Sequence, residues 1–161
     1  MAGAYSEMQA SPGPVGIGGW LILPILGIVV TPIRAFPLIQ KYMFVSQMWP
    51  SFDRLKAAFF VAEMITDILF LAVLPGVLLV LLLLRKRLFI IMFIFWGVGS
   101  LAWNVFDTGL VSWIFRDEFA RRGVPFLDSE TMQGFARNIV TATIWAPYMA
   151  LSVRVKHTFV N

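Results

Sequence analysis

Cysteine is absent from the 161 residues, which excludes a disulfide, a lipoprotein anchor and a thiolate metal site. Histidine occurs once, at His157 beyond the last apolar run, so no imidazole lies inside a span to ligate a metal or activate a nucleophile. Charge is scarce: 14% of residues are charged against 59% hydrophobic, whereas a soluble domain has about 25% charged. Mean hydropathy is +0.81. The first fourteen residues have a single charge, Glu7, and lack the positive region of a cleaved signal peptide, so residues 1–14 are expected to be a disordered tail. A formal charge of +4 would suggest nucleic acid in a soluble protein. Here the cations flank apolar runs, which is a topology signal, and no nucleic-acid partner is expected.

What the chain has is long apolar runs. Residues 68–84 include no charged or hydrogen-bonding side chain, end in Arg85-Lys86-Arg87, and are followed at once by a second run from Leu88 to Trp103. At 1.5 Å per residue, each run with its flanking turn reaches across a hydrocarbon core of about 30 Å. Two further runs give expected spans at about 16–35, 58–84, 88–107 and 134–153. The fold class expected is therefore all-α: one integral membrane bundle of four transmembrane helices over residues 15–156, with helical segments in the outer loops and a cytoplasmic tail at 157–161.

Four spans place both termini on one side. With the termini inside, Arg85, Lys86, Arg87, Arg154 and Lys156 abut their helices in short cytoplasmic segments. The outer loops have more cations, namely Arg34, Lys41, Arg54, Lys56, Arg116, Arg121, Arg122 and Arg137. Those are spread over longer segments together with Asp53, Asp107, Asp117, Glu118, Asp128 and Glu130. Density next to the span, not the raw count, sets orientation, so both termini are expected in the cytoplasm of a bacterial inner membrane. Val111, Ile114, Phe115 and Phe119 recur at helical spacing opposite Arg116, Asp117, Arg121 and Arg122, as in an interfacial helix or a continuation of the third span. The aromatic stretch 36–52 is expected on the outer surface, and no internal repeat is visible.

Gly18-Gly19-Trp20-Leu21, Thr31-Pro32-Ile33-Arg34, Ile144-Trp145-Ala146-Pro147-Tyr148 and the ending from Ser152 to Val160 form an ordered, well-separated set. Together they resemble the bacterial inner-membrane family known as domain of unknown function 2569, over about residues 16–160. The resemblance implies four spans with cytoplasmic ends and no assigned activity. It places Glu63 where that pattern has a glutamate early in the second span, and Asp67 where it has a neutral amide.

Counting from the basic inner ends puts Asp67, Asn104 and Arg137 in one layer ~25 Å above the inner face. Glu63 and Asp107 lie a turn further out, Asn138 beside Arg137, and Arg34 near the same height. Glu63 and Asp67 are spaced i, i+4 and share a face, with Arg137 and Arg34 as expected partners. Such a layer is either an outward vestibule binding a proton, cation or polar solute, or a structural cap locking helices together. Pro24, Pro75 and Pro147 are expected to interrupt the first, second and fourth spans, freeing the carbonyls of Trp20, Leu71 and Thr143, and Gly97 and Gly99 to loosen the third. At the inner rim, Gly18, Gly19, Trp20, Arg85, Lys86, Arg87, Arg154 and Lys156 suit contact with anionic lipid, a membrane-protein partner or a second copy of the chain. No nucleophile–base pair, facing carboxylate dyad or metal set is present, so neither an enzyme nor a cofactor is expected.

Overall fold

The computed structural model describes residues 18–47, 49–123, 127 and 129–159; the expected tail at 1–14 lies outside them. Among the described residues the secondary structure is helical, with no strand. A 3-10 turn at Gly19–Leu21 leads into α1 (Ile22–Val30), which continues through a second 3-10 turn, Thr31–Arg34, into α2 (Ala35–Ser46). The next helix has three parts: α3 (Arg54–Ile68), a π-helical segment (Leu69–Val73) and α4 (Leu74–Leu83). α5 runs unbroken from Leu88 to Ile114 and α6 is short (Arg116–Arg122). The last helical path is α7 (Ser129–Val140), a second π segment (Thr141–Trp145), α8 (Ala146–Leu151) and α9 (Val153–Thr158).

Three helices are long and apolar enough to cross a membrane: Gly19–Gln40, Arg54–Leu83 and Leu88–Ile114. Each extends past the expected span. The second begins at Arg54 because the Asp53 side chain caps it, accepting from the Lys56 backbone N–H at 2.8 Å. The third continues to Ile114 and breaks at Phe115, so the amphipathic stretch is both a continuation and a separate short helix ending at Gly123 in the left-handed region. The path from Ser129 to Leu151 is not among the three, because Arg137, Asn138, Thr141 and Thr143 dilute its apolar character.

α5 is the central strut. It packs against α4 on one side and against α7, the second π segment and α8 on the other, while α1 lies on α4. The core concentrates toward the basic end, where Leu21, Ile28, Leu78, Phe89, Phe93, Met149, Val155 and Phe159 are fully buried. Outside it the surface is apolar: Leu83 is 79% exposed, Trp113 71% and Ile91 65%. Exposed apolar area on this scale is a membrane-facing surface, and the chain reads as a membrane protein.

The prolines act differently from the sequence expectation. Pro24 falls in the first turn of α1, where its missing N–H costs nothing, so it helps start that helix instead of interrupting it. Pro75 and Pro147 each follow a π segment that absorbs them. In the π register the Leu74 N–H bonds back five residues to Leu69, so the carbonyl facing Pro75 is that of Phe70, not Leu71. The Trp96 indole N–H on α5 donates to it at 2.8 Å, replacing the bond proline cannot make. Gly97 and Gly99 do not loosen α5, which is continuous. They let its neighbours come close: a Cβ on Gly97 would sit 2.9 Å from Thr141 Cγ2, and one on Gly99 3.2 Å from the Phe70 ring.

The two ends of the basic hairpin are tightly fixed. The Lys86 N–H bonds the Leu81 carbonyl and the Arg85 N–H that of Leu82, with Arg85 at φ 51°, a helix stop that glycine usually makes. Placing arginine there costs about 1 kcal/mol of backbone strain relative to glycine and gains a cation at the membrane boundary. Residues 157–159 are not a free tail. Ser152 turns the chain with ψ 122°, α9 continues to Thr158, and Phe159 stacks on Phe89 with ring centroids 4.6 Å apart.

Candidate functional site

The outer polar layer forms around a residue the sequence reading passed over. Tyr42 on α2 is buried and donates its hydroxyl to Asp67 Oδ2 at 2.6 Å. Its ring is held edge-on to Phe60, which also meets Trp49 and Phe52, so part of the stretch expected on the surface closes over the outer end of α3. Burial pushes the phenol well above its ordinary range, reinforced by the hydrogen bond to Asp67 and by the charges of Asp67, Glu63 and Asp107. Tyr42 is therefore held in its neutral, donating form. It was legible as the one hydroxyl-bearing aromatic between residues 36 and 52, since a buried tyrosine hydroxyl needs a partner.

Glu63 and Asp67 are half-buried one turn apart on α3, and the charge of Asp107, half-buried on α5, acts on the same tyrosine. One turn inward on α5, the Asn104 amide nitrogen and the Arg137 guanidinium each lie 3.8 Å from where a Cβ on Gly134 would be. The Asn138 amide donates to the Ser100 carbonyl at 3.4 Å, tying α7 to α5. Asn104 Oδ1 is buried and finds no hydrogen-bond partner among the described residues. Arg137 and Arg34 are exposed. Among the described residues no three His, Asp or Glu side chains group closely enough to hold a metal ion.

Removing the Tyr42 hydroxyl tests this layer. Tyr42→Phe keeps the ring and strands the Asp67 oxygen, so a detergent melt is expected to show a loss of about 1–2 kcal/mol. Adding Asp67→Asn should return part of it, and an unchanged melt for Tyr42→Phe would show that the bond contributes nothing.

The inner rim gathers Gly18, Gly19, Trp20, Arg85, Lys86, Arg87, Arg154 and Lys156. Gly19 adopts φ +59°, and a Cβ there would lie 2.5 Å from the Arg154 guanidinium, so a larger residue would strain the backbone and displace the Arg154 side chain. Arg154 is half-buried, and its Nε finds no acceptor among the described residues. Trp20 is 70% exposed, and Arg85, Lys86, Arg87 and Lys156 are exposed. Between the start of α5 and α9 lies an open groove of about 380 Å³ lined by Arg87, Ile90, Ile91, Lys156 and Phe159. Phe159 entered the sequence reading only as part of the ordered ending from Ser152 to Val160, with 157–161 assigned to a tail, and the groove escaped it.

No curated protein and no solved structure matches the chain. A family model described as a protein of unknown function (DUF2569) matches residues 14–160, nearly the full length. The chain, a helical protein with membrane-length apolar helices, a polar layer toward one end and a basic rim at the other, belongs to the DUF2569 family.

Proposed function

We propose that this protein is a four-span protein of the bacterial inner membrane with both termini in the cytoplasm, and that it acts without catalysis by binding a lipid or membrane partner at its inner rim. The observation that favours this reading is charge segregation. Arg85, Lys86, Arg87, Arg154 and Lys156 gather at one end, while every acidic residue after Glu7 lies in the outer half or outer loops. A rim with five cations and no fixed counter-ion among the described residues attracts an anionic partner. Arg154 adds a half-buried guanidinium with an open N–H.

Topology is tested by single cysteines in the cysteine-free background. A membrane-impermeant maleimide is expected to label Ser129→Cys from outside and to leave Ser6→Cys unlabelled until the membrane is opened. Labelling of intact cells at Ser6→Cys would reverse the orientation and move the basic rim outside. Binding is tested by what co-purifies in mild detergent: anionic lipid or a protein is expected with the parent and depleted when Arg154→Gln is purified alongside it.

A second reading is a small channel or transporter using Glu63 and Asp67 in the outer layer, favoured by the Tyr42–Asp67 hydrogen bond at 2.6 Å. Liposome proton or cation flux abolished by Glu63→Gln would select it. Absence of flux beside a retained co-purifying lipid would select the first.

A further inference from the structure

We propose that the groove between the start of α5 and α9 is a binding site for one anionic phospholipid, with Arg87 and Lys156 taking the phosphate and Ile90 and Ile91 receiving the first part of an acyl chain over a floor formed by Phe159. This rests on the inner-rim reading above and narrows it to one place and one ligand class. The lining is mostly apolar, and Arg87 and Lys156, both exposed, flank it beside three apolar side chains, an arrangement that suits a phosphodiester joined to hydrocarbon. Arg87 offers a planar fork of donors and Lys156 a point charge, and both bind phosphate oxygens.

The groove's floor and mouth argue for a lipid over a soluble anion. The floor is rigid because Phe159 is 1% exposed and stacked on Phe89. The mouth opens onto apolar surface, with Ile91 65% exposed and Leu88 51% exposed beside it. A free phosphate would use the cations and leave that apolar wall wet.

The test is native mass spectrometry of the full chain in mild detergent, titrated with phosphatidylglycerol or phosphatidylcholine. Wild type is expected to retain one phosphatidylglycerol in preference to phosphatidylcholine. Arg87→Gln with Lys156→Gln is expected to cut that retention at least tenfold. Arg85→Gln with Lys86→Gln, which removes the same charge from the adjoining turn, is expected to cut it at most threefold. Ile91→Trp keeps every charge and fills the groove from an exposed position, so it too is expected to lose the lipid, even if the double charge variant fails to fold. Equal losses in both charge pairs, with Ile91→Trp unaffected, would overturn the groove and leave a diffuse basic rim. No preference for phosphatidylglycerol in wild type would overturn both. Displacement of the lipid by millimolar inorganic phosphate would show that the site takes the anion and not the lipid.

Discussion

Phe159→Ala is expected to lower the stability of the folded protein by about 3–5 kcal/mol, the usual loss when a buried phenylalanine is truncated in a core that collapses only partly. The ring is 1% exposed, stacks on Phe89 at 4.6 Å, and shares one cluster with Leu21, Leu78, Met149 and Val155. It therefore ties the end of the last short helix to α5. Titration with a denaturing detergent, followed by loss of helicity, measures the effect. A midpoint within error of the parent's would mean that residues after Lys156 are peripheral. Phe159→Leu, which keeps most of the volume, should recover about half.

Gly97→Ala is expected to cost about 1–3 kcal/mol although it adds one methyl group, because overpacking a close helix contact forces the backbones apart. The methyl would meet Thr141 Cγ2 at 2.9 Å, with the Thr141 backbone at 3.8 Å behind it. Thr141 cannot rotate away freely, since it is β-branched and its hydroxyl donates to the Arg137 carbonyl at 2.9 Å. Thr141→Ser deletes the obstructing methyl and retains the hydroxyl. The double variant Gly97→Ala with Thr141→Ser is therefore expected to recover most of the loss in the same titration, and simple additivity of the two would refute the contact.

Apolar runs and breakers made the helices legible, because bilayer thickness constrains length and a charge at a span's end is costly to misplace. The hairpin at Arg85-Lys86-Arg87 was read where it lies. Helix ends were harder, since capping is a local contest: Asp53, three residues before Lys56, was the missed signal for a start at Arg54. Of the outer layer, the residues on one helix, Glu63 and Asp67, could be placed together from spacing alone. The tyrosine that bonds Asp67 lies 25 residues away in sequence, and no periodicity reports a contact made by two helices folding together. The carbonyl freed by Pro75 was misplaced by one residue because the π register is not written in the apolar pattern, where any hydrophobic residue serves. At the inner rim the glycines were read as sites of close approach. What approaches Gly19 is Arg154 of the same chain.

The two π segments also act as phase shifters. Each houses one residue more than an α-helix would, so side chains on its outer side are turned by about 100° relative to those on its inner side. In the second helix, Glu63 and Asp67 precede the shift, and Leu74, Leu78 and Leu82 follow it. In the last, Arg137 and Asn138 precede it, and Ala146 and Met149 follow it. The sequence register of the polar layer is thus offset by one residue from that of the apolar core. Deleting a single residue such as Ala72 would restore one continuous helical phase. The leucines would keep their seats and Asp67 its place beside Tyr42, because the bulge already turns the chain no further than an α-helix lacking that residue would. The added residue is what lets the Leu74 N–H reach back to Leu69.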